Sequence, residues 1–201
     1  MTGYKVANLK IVLEELGEER TTELLSKFSC PLNGDVETFL HKKAIEFAKQ
    51  GFSQTHIVFA AYKEKPQIAG YFTLANKYIT INSEKISSRL RRRINKFATF
   101  DRVIRSYCLS TPLIAQLGKN YTDGLDKLIT GDELLKIACD KVARIQFELG
   151  GKLVYLECED KPKLLDFYTS NGFCEFDRRT LDKDETGIDG EYLVQMLKYI
   201  H

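Results

Sequence analysis

The strongest hydrophobic pattern in the chain covers residues 131–149. Apolar side chains recur there at steps of three and four, the spacing that places residues on one face of an α-helix. Gly150 and Gly151 end the pattern, because glycine readily adopts the left-handed conformation that terminates a helix. The sequence therefore predicts a helix over 131–149 and, from the apolar run Leu153–Cys158, a strand directly after it. The predicted buried face of the helix comprises Leu134, Leu135, Ala138, Val142, Ile145 and Leu149.

Two further patterns precede this helix. Apolar residues between Val36 and Ala48 share one helical face, with Asp35 as the expected N-cap and Gly51 as the terminator. His56–Tyr62 and Ile68–Ile81 are rich in β-branched and aromatic residues and are separated by a short polar turn, which predicts a hairpin.

The remaining segments complete an α+β order. Residues 10–16 fit a first strand or a short helix equally well. Residues 84–108 carry apolar side chains at helical spacing and are predicted as an amphipathic helical insertion. Strands and helices in this order predict an α+β fold with a mixed sheet flanked by helices. The other predicted elements are a strand at Leu113–Leu117, a polar loop at 118–130, a helix from Asp160–Pro162 to Asn171–Gly172, and an antiparallel pair, Phe173–Arg178 with Tyr192–Tyr199, around a loop at Asp182–Gly190.

Length and composition indicate a globular protein. The chain has 201 residues, of which 43% are apolar and 29% are charged, and this length favours a single domain over residues 1–201. No apolar run approaches the roughly 18 residues of a membrane span, and the N-terminus lacks the apolar core of a signal peptide. The expected location is therefore the cytoplasm.

The cysteines and histidines predict neither a disulfide framework nor a metal site. The five cysteines are odd in number and form no C-x-x-C pair. The three histidines, at positions 41, 56 and 201, match no ligand spacing such as H-E-x-x-H. We therefore expect reduced thiols, no metal and no catalytic cysteine.

Charge is concentrated in one segment. Residues 85–105 hold eight basic side chains and one acidic side chain, a local charge of +7, whereas the whole chain carries only +2. A basic block on a mildly acidic body indicates an anionic partner on one face. The predicted contacts for RNA or another polyanion are Arg89, Arg91, Arg92, Arg93 and Lys96, with a solvated arginine face as the alternative.

The start of the 131–149 helix is a candidate anion site. Thr130 and Glu133 fit a capping box, and Gly131 has no Cβ to keep a ligand away from the backbone. The free N–H groups and the dipole of a helix N-terminus both favour negative charge. A good helix cap with no ligand is the alternative interpretation.

The motif order from Gly131 to Phe173 resembles the coenzyme A half of the GCN5-related N-acetyltransferase (GNAT) family. Its most specific part is the spacing F-Y-x-x-x-G-F, which begins at Phe167 and Tyr168 and follows a strand and a proline-started helix. The resemblance implies a GNAT-like fold, acetyl-CoA as cosubstrate and N-acetyltransferase activity. It also implies that Tyr168 is the general acid that protonates the departing thiolate, a reasonable role for a phenol.

The resemblance further implies which residues bind acetyl-CoA. The pantetheine arm would pair with the backbone at Leu117 and Lys119, on either side of Gly118, in a gap between two strands. Of the family's usual phosphate loop, Gln/Arg-x-x-Gly-x-Gly/Ala, only the last glycine is present, and Lys161 replaces a cofactor-contacting asparagine. The residues matched to the diphosphate contact are Lys127, Ile129, Thr130, Gly131, Asp132 and Glu133.

The sequence leaves the general base open. Gln116 occupies the strand position where a base could sit, but an amide cannot accept a proton at neutral pH. Glu157 is the side-chain candidate, and the alternatives are a water-mediated route or an amine of low pKa.

A second resemblance concerns the acceptor. Phe28-Ser29-Cys30 followed by Asp35–Leu40, and the strand Thr111–Leu117, resemble acetyltransferases of bacterial toxin–antitoxin modules. Those proteins block the amino group of aminoacyl-tRNA, so the resemblance implies a tRNA acceptor and an antitoxin partner. The alternatives are a primary amine on a small molecule or peptide, and a non-catalytic GNAT-fold binding module with an altered cofactor loop. A homodimer is compatible with each.

Overall fold

A computed structural model describes residues 3–182 and 190–200. Within them, the chain forms helices and strands in a mixed order, and a 3-10 helix covers Thr122–Leu128. In order, the elements are β1 (Tyr4–Asn8), α1 (Leu9–Leu16), α2 (Glu18–Leu25), α3 (Gly34–Lys42), α4 (Ala44–Gln50), β2 (Gln54–Tyr62), β3 (Lys65–Asn82), α5 (Ser88–Ile94), β4 (Thr99–Asp101), β5 (Ser106–Lys119), α6 (Gly131–Leu149), β6 (Leu153–Glu159), α7 (Pro162–Ser170), β7 (Cys174–Thr180) and β8 (Tyr192–Tyr199).

The chain forms two compact units. Unit 1 consists of Met1–Ala75 and Ile114–Ala138, and unit 2 consists of Asn76–Leu113 and Cys139–His201. Strands β3 and β5 and helix α6 contribute residues to both units.

In unit 1, helices α1 to α4 supply apolar side chains to a core on strands β2 and β3. The strands are neighbours in the order β1-β2-β3-β5, and both β1–β2 and β2–β3 are antiparallel. Tyr71 lies at the centre of the core, where its ring packs edge-on against Phe28 at 5.1 Å and its hydroxyl donates to the Val36 carbonyl at 2.5 Å. The other buried members include Leu9, Leu25, Leu40, Ala44 and Ile57.

Local polar groups set the helix boundaries of unit 1. Asn8 caps α1 by accepting from Lys10 N at 2.8 Å, so residues 10–16 are helical. Asn33 caps α3 by accepting from the backbone of residues 35 and 36, which corrects the expected Asp35 cap. The structure has two helices where the sequence predicts one, because the helix is interrupted at Lys43. The second helix, α4, is terminated by Gly51, whose φ is +76°.

In unit 2, the strands follow the order β5-β6-β8-β7, with β4 paired to β5. The β6–β8, β7–β8 and β4–β5 pairs are antiparallel. Their buried faces and α5 enclose a second core that includes Ile81, Ile94, Leu153, Phe176 and Leu197.

The basic insertion and its neighbouring strand differ from the sequence-based expectation. Only Ser88–Ile94 of the 84–108 segment is helical, and β4 follows it. The predicted short strand Leu113–Leu117 belongs to the 14-residue β5. The segment is therefore a short helix followed by a hairpin, since residues 99–101 pair with residues 106–108.

The end of α6 also differs. Leu134, Leu135, Ala138 and Val142 are buried as predicted, but Ile145 and Leu149 are 36% and 82% exposed. Gln146 takes the inward position in the last turns, where its Nε2 donates to the Leu153 carbonyl at 2.5 Å. A polar contact to the start of β6 thus replaces the predicted apolar one.

The fold class matches the prediction: a mixed, mostly antiparallel set of strands with flanking helices. The β7–β8 pair is present, and most of its predicted loop, residues 183–189, lies outside the described residues. No helix in the described residues is long and apolar enough to cross a membrane. Likewise, no group of His, Cys, Asp or Glu side chains within residues 3–182 and 190–200 could hold a metal ion.

Candidate functional site

The N-terminus of α6 carries the predicted capping box. Thr130 N and Thr130 Oγ1 both donate to Glu133 Oε2 at 2.9 Å, and Glu133 N donates to Thr130 Oγ1 at 3.1 Å. The hydrogen bond from the Thr130 backbone, with smaller contributions from the Thr130 hydroxyl, Tyr4 and Lys119, lowers the pKa of the Glu133 carboxyl. The helix therefore begins with the Glu133 carboxylate held firmly in place.

Tyr4 is a part of this site that the sequence patterns did not indicate. Its hydroxyl is 2.9 Å from the Leu128 carbonyl and 3.2 Å from Glu133 Oε2. These contacts tie strand β1 to the loop before α6. Tyr4 therefore fixes the segment that the resemblance matches to the diphosphate contact.

The residues matched to the phosphate loop differ in whether their side chain or only their backbone is accessible to a ligand. Ile129 is buried at 1% exposure, so only its backbone is available to a ligand. Lys127 and Thr130 are exposed, and Lys127 forms no ion pair with the described residues. Asp132 is exposed beside Glu133, so two carboxylates stand in the first turn where a diphosphate would bind.

The end of β5 is held by buried polar and steric contacts. A Cβ added to Gly118 would overlap Val36 Cγ1 and come within 3.3 Å of Phe28 Cζ. Asn120, only 1% exposed, accepts from Ser29 N at 3.0 Å and donates to the Ile68 carbonyl at 2.9 Å. The backbone around Leu117–Lys119, matched to the pantetheine contact, is thus rigidly placed in unit 1.

Tyr168 lies on α7 in unit 2, where it is half-buried. Its ring packs against Phe167 at 4.9 Å and Phe173 at 6.0 Å, so the F-Y-x-x-x-G-F residues form one aromatic group. Burial, and secondly the charge of the nearby Cys158, raise the pKa of Tyr168 above its usual value. The raised pKa keeps the phenol protonated at neutral pH. Within the described part of the chain its hydroxyl takes no hydrogen bond, so its proton is available to an acceptor.

Glu157, the base candidate from the sequence, is already engaged. Its Oε2 is 2.7 Å from Arg179 Nη2 and 2.8 Å from Arg179 Nε, and its Oε1 accepts from Gln195 Nε2 at 2.8 Å. The side chain is only 15% exposed. Both oxygens of this carboxylate therefore have fixed donors, Gln195 on the adjacent strand β8 and Arg179 on β7 beyond it.

Lys161, which replaces the cofactor-contacting asparagine, is also engaged. Its Nζ lies 2.9 Å from Glu159 Oε1. The ammonium is thus partly neutralised at the start of α7.

Asp35, which the sequence predicts as a helix cap, instead places its carboxylate beside Gln116. Gln116 Nε2 on β5 donates to Asp35 Oδ2 on α3 at 2.9 Å. Both side chains are half-buried, and Asp35 Oδ1 accepts no hydrogen bond from the described residues. Unit 1 therefore holds an oriented carboxylate next to Leu117. The only signal for it in the sequence is the position of Gln116.

The basic segment contains two kinds of cation. Lys85 pairs with Asp177, and Arg105 Nη1 lies 3.1 Å from Glu84 Oε1. The predicted polyanion contacts have no carboxylate partner within residues 3–182 and 190–200. These are Arg89, Arg91, Arg92, Arg93 and Lys96.

The predicted site residues fall in both units. Unit 1 holds the residues matched to pantetheine and diphosphate, together with Gln116 and Asp35. Unit 2 holds Tyr168, Glu157, Lys161 and the basic segment.

Comparisons with known proteins identify the fold. No protein-family model matches the sequence, and no curated protein matches it significantly. Among solved structures, a tyrosine-to-phenylalanine mutant of KacT aligns with a TM-score of 0.62 at 12% identity, covering 96% of this chain and 94% of that one. AtaT complexed with acetyl-methionyl-tRNAfMet gives a TM-score of 0.60 at 16% identity, over 95% of this chain and 93% of that one.

A third structure contains two further components. An AtaT mutant toxin bound to the C-terminus of the antitoxin AtaR and to acetyl-CoA aligns with a TM-score of 0.58 at 14% identity, covering 98% of this chain and 93% of that one. At such identities the likeness concerns the fold. The chain therefore has the fold of the GNAT-type toxins of toxin–antitoxin modules, as its motifs predict.

Proposed function

We propose that this protein is an acetyl-CoA-dependent N-acetyltransferase that transfers an acetyl group directly to a primary amine. The observation that carries the proposal is Tyr168, which stands within the aromatic motif matched to the family's general acid and whose hydroxyl forms no hydrogen bond with the described residues. The fold is that of toxins solved with acetyl-CoA and with acetyl-methionyl-tRNAfMet. We therefore take aminoacyl-tRNA as the first acceptor to test, ahead of a small-molecule or peptide amine.

Acetyl-CoA would be held mainly by unit 1. The rigid strand end at Leu117–Lys119 fits the pantetheine arm, because a fixed backbone edge can pair with its amides. The Gly131 N–H, which takes no partner among the described residues, and the exposed Lys127 fit a phosphate group. The carboxylates of Asp132 and Glu133 oppose a diphosphate, so pantetheine pairing should contribute more to affinity than the diphosphate contact.

Transfer needs a neutral amine and a stabilised leaving group. The amine nitrogen attacks the thioester carbon, so that a C–N bond forms as the C–S bond breaks. The thiolate leaves with the bonding electron pair and accepts a proton from the Tyr168 hydroxyl. With no activated nucleophile evident in the sequence, transfer is proposed to be direct rather than through an acyl-enzyme.

Two carboxylates compete for the amine proton. Glu157 has both oxygens occupied by Arg179 and Gln195, whereas Asp35 retains an oxygen that accepts no bond from the described residues. Asp35 also lies beside the strand segment matched to the thioester arm. We therefore propose Asp35 as the group that orients the amine and receives its proton, directly or through water, and keep Glu157 as the competing candidate.

The second candidate function is a non-catalytic binding module. The altered phosphate loop and the carboxylates at its helix start favour it. An antitoxin partner, as in the AtaT structure with AtaR, and a homodimer are compatible with both functions. The net positive charge of the basic segment is proposed to attract a tRNA acceptor to this face.

Calorimetric titration with acetyl-CoA, with desulfo-CoA and ATP as comparators, tests the proposal first. Micromolar binding of acetyl-CoA and desulfo-CoA but not of ATP is expected, since pantetheine should carry recognition. Transfer to aminoacyl-tRNA is then measured for the wild type and Tyr168→Phe. Absence of acetyl-CoA binding, or of transfer by the wild type, would favour the binding module, whereas equal measurable rates for the two proteins would remove Tyr168 as the general acid.

A further inference from the structure

A cleft lies in unit 2 between α5 and the adjoining strands β7 and β8. Its volume is about 400 Å³, within the range of roughly 300–1,000 Å³ typical of small-ligand sites. Arg89 and Arg93 of α5 line one side, and Cys174, Lys198 and Tyr199 line the other. We call it the α5–β8 cleft.

The lining of the cleft is cationic. Arg89, Arg93 and Lys198 contribute three positive charges, and none of the described residues that line the cleft carries a carboxylate. None of the three has an ion-pair partner within residues 3–182 and 190–200, although Lys85 in the same segment pairs with Asp177. Three uncompensated cations around one concave surface create a local positive potential that attracts an anion.

Two of the cations are oriented by aromatic rings. The Arg93 guanidinium carbon lies 4.6 Å from the centroid of the Tyr199 ring, and Lys198 Nζ lies 5.6 Å from that of Phe173. Such contacts hold a cation in place while leaving its N–H groups available to an acceptor. The charges are thus partly preorganised, which lowers the entropic cost of binding.

The cleft divides the arginines of α5 into two sets. Arg89 and Arg93 are four residues apart and share a helix face, as the helical repeat requires. Arg91 and Arg92 are exposed and do not line the cleft. Sequence alone assigned one role to all of them, but only the first set meets Lys198 across the cleft.

We infer that the α5–β8 cleft is a phosphate-binding site. Guanidinium groups match the geometry of phosphate oxygens, with two N–H donors directed to one group, and an ammonium adds a point charge. The phosphate belongs either to an RNA backbone or to a small phosphomonoester, since both present the same oxygens. As a contact for a tRNA acceptor the site rests on the proposed function; as a phosphate site it stands independently.

Two double variants test the cleft with the same loss of charge. Arg89→Gln with Lys198→Gln removes two cations of the cleft, and Arg91→Gln with Arg92→Gln removes two cations outside it. Arg93 is left unchanged because its guanidinium packs on Tyr199. All four replaced side chains are exposed or half-buried, so melting temperatures within a few degrees of the wild type are expected for both proteins.

The first probe is labelled, uncharged tRNA, titrated by fluorescence anisotropy from low to physiological salt. The cleft variant should bind at least about 10-fold more weakly and reduce the slope of log K against log salt by about 1 to 2, as expected for lost phosphate contacts. The variant outside the cleft should lose no more than about 3-fold, because only general attraction is reduced.

The second probes are AMP and inorganic phosphate, followed by ³¹P line broadening. If the ³¹P signal of AMP is broadened by the wild type and this broadening is lost only in the cleft variant, the site binds a phosphomonoester. A cleft-specific effect on tRNA alone assigns it to the RNA backbone. If the two double variants behave alike with every probe, whether both weakened or both unchanged, the inference is overturned.

Acetyl-CoA calorimetry keeps the two proposals apart. A wild-type protein that binds acetyl-CoA but shows no difference between the double variants disproves the cleft and not the transferase. A wild-type protein that fails to bind acetyl-CoA disproves the transferase, and a cleft-specific loss of phosphate binding would still support this site.

Discussion

Gln116 donates a hydrogen bond from Nε2 to Asp35 Oδ2 across 2.9 Å and so links β5 to the first turn of α3. The two residues are 81 positions apart in the chain. Gln116 immediately precedes Leu117, which is matched to the pantetheine contact. An amide that cannot itself take a proton therefore orients a carboxylate that can.

The substitution Asp35→Asn tests this carboxylate. The asparagine carbonyl can still accept the bond from Gln116, so the fold should persist while the proton acceptor is lost. We expect kcat to fall by about 100-fold or more, as for other general bases, with a smaller change in KM for acetyl-CoA. Steady-state release of CoA thiol with aminoacyl-tRNA measures both constants.

The matched control for Asp35→Asn is Glu14→Gln, which removes one exposed carboxylate from α1. It should change kcat by less than 2-fold. If Asp35 takes the proton of the ammonium form, the loss in Asp35→Asn should shrink at alkaline pH, where the free amine is already neutral above its pKa of about 8. An unchanged rate in Asp35→Asn at every pH would remove Asp35 from the mechanism.

Glu157→Gln separates the two carboxylates. Because Glu157 is held by Arg179 and Gln195, losing its charge weakens the pairing of a half-buried guanidinium, whose Nη1 otherwise contacts Asp182 Oδ2 only at 3.6 Å. The free energy of unfolding should therefore fall by about 1–3 kcal/mol, and the rate should change by less than 3-fold. Urea denaturation and the acetylation assay are run together. A stable variant with a rate reduced 100-fold would instead make Glu157 the base.

Tyr168→Phe removes the proposed donor to the thiolate and keeps the ring contacts with Phe167 and Phe173. We expect a loss of kcat of about 100-fold or more with acetyl-CoA affinity within 2-fold. Since burial raises the pKa of this phenol, the wild-type rate should increase as the amine loses its proton and should not decline up to about pH 10, the ordinary pKa of tyrosine. A decline near pH 9 that is absent from Tyr168→Phe would contradict the raised pKa.

Local signals in the sequence account for much of the fold. The bounds of α6 follow from the Thr130–Glu133 capping box at one end and Gly150 and Gly151 at the other. The bounds of α7 are predictable in the same way, because Pro162 starts the helix and Gly172, with a φ of +81°, allows the chain to leave it. Each of these signals acts within a few residues of the helix end, so it can be recognised in the sequence alone.

Long-range pairs account for what the sequence did not reveal. Asp35 and Asn33 are both good cap residues, and Asn33 takes the cap while Asp35 turns to Gln116. Tyr4 reaches Glu133, and Lys198 stands across the cleft from Arg89. Local propensities do not predict such partners, because each pair forms only when residues far apart in the sequence come together on folding.

Gly118→Ala tests the packing at the end of β5. The new methyl group would overlap Val36 Cγ1 and press on Phe28 Cζ, both of which are buried. We expect the free energy of unfolding to fall by about 1–3 kcal/mol, the usual cost of overpacking a core, together with weaker acetyl-CoA binding. The control is Gly34→Ala, since a Cβ there meets no atom within 4 Å. Equal melting temperatures for the two variants would show that α3 moves aside easily.

Glu37 predicts how stability depends on pH. Its Oε2 accepts from Cys30 N at 2.6 Å and Ser29 Oγ at 3.0 Å, and chiefly the first of these bonds lowers the pKa of its carboxyl. A carboxyl with a lower pKa in the folded state stabilises the protein above its unfolded pKa of about 4.3, and this contribution is lost as pH falls through the folded value.

The variant Glu37→Gln should therefore be destabilised by about 1–2 kcal/mol at pH 7. The difference from the wild type should shrink as pH falls from the unfolded pKa of about 4.3 through the lower folded value, because the wild-type carboxyl becomes protonated and resembles the amide. Urea unfolding at a series of pH values measures both curves, with Glu14→Gln as the control. A difference that stays constant as the pH is lowered to the point of acid unfolding would mean that the two hydrogen bonds, and not the charge, provide the stabilisation.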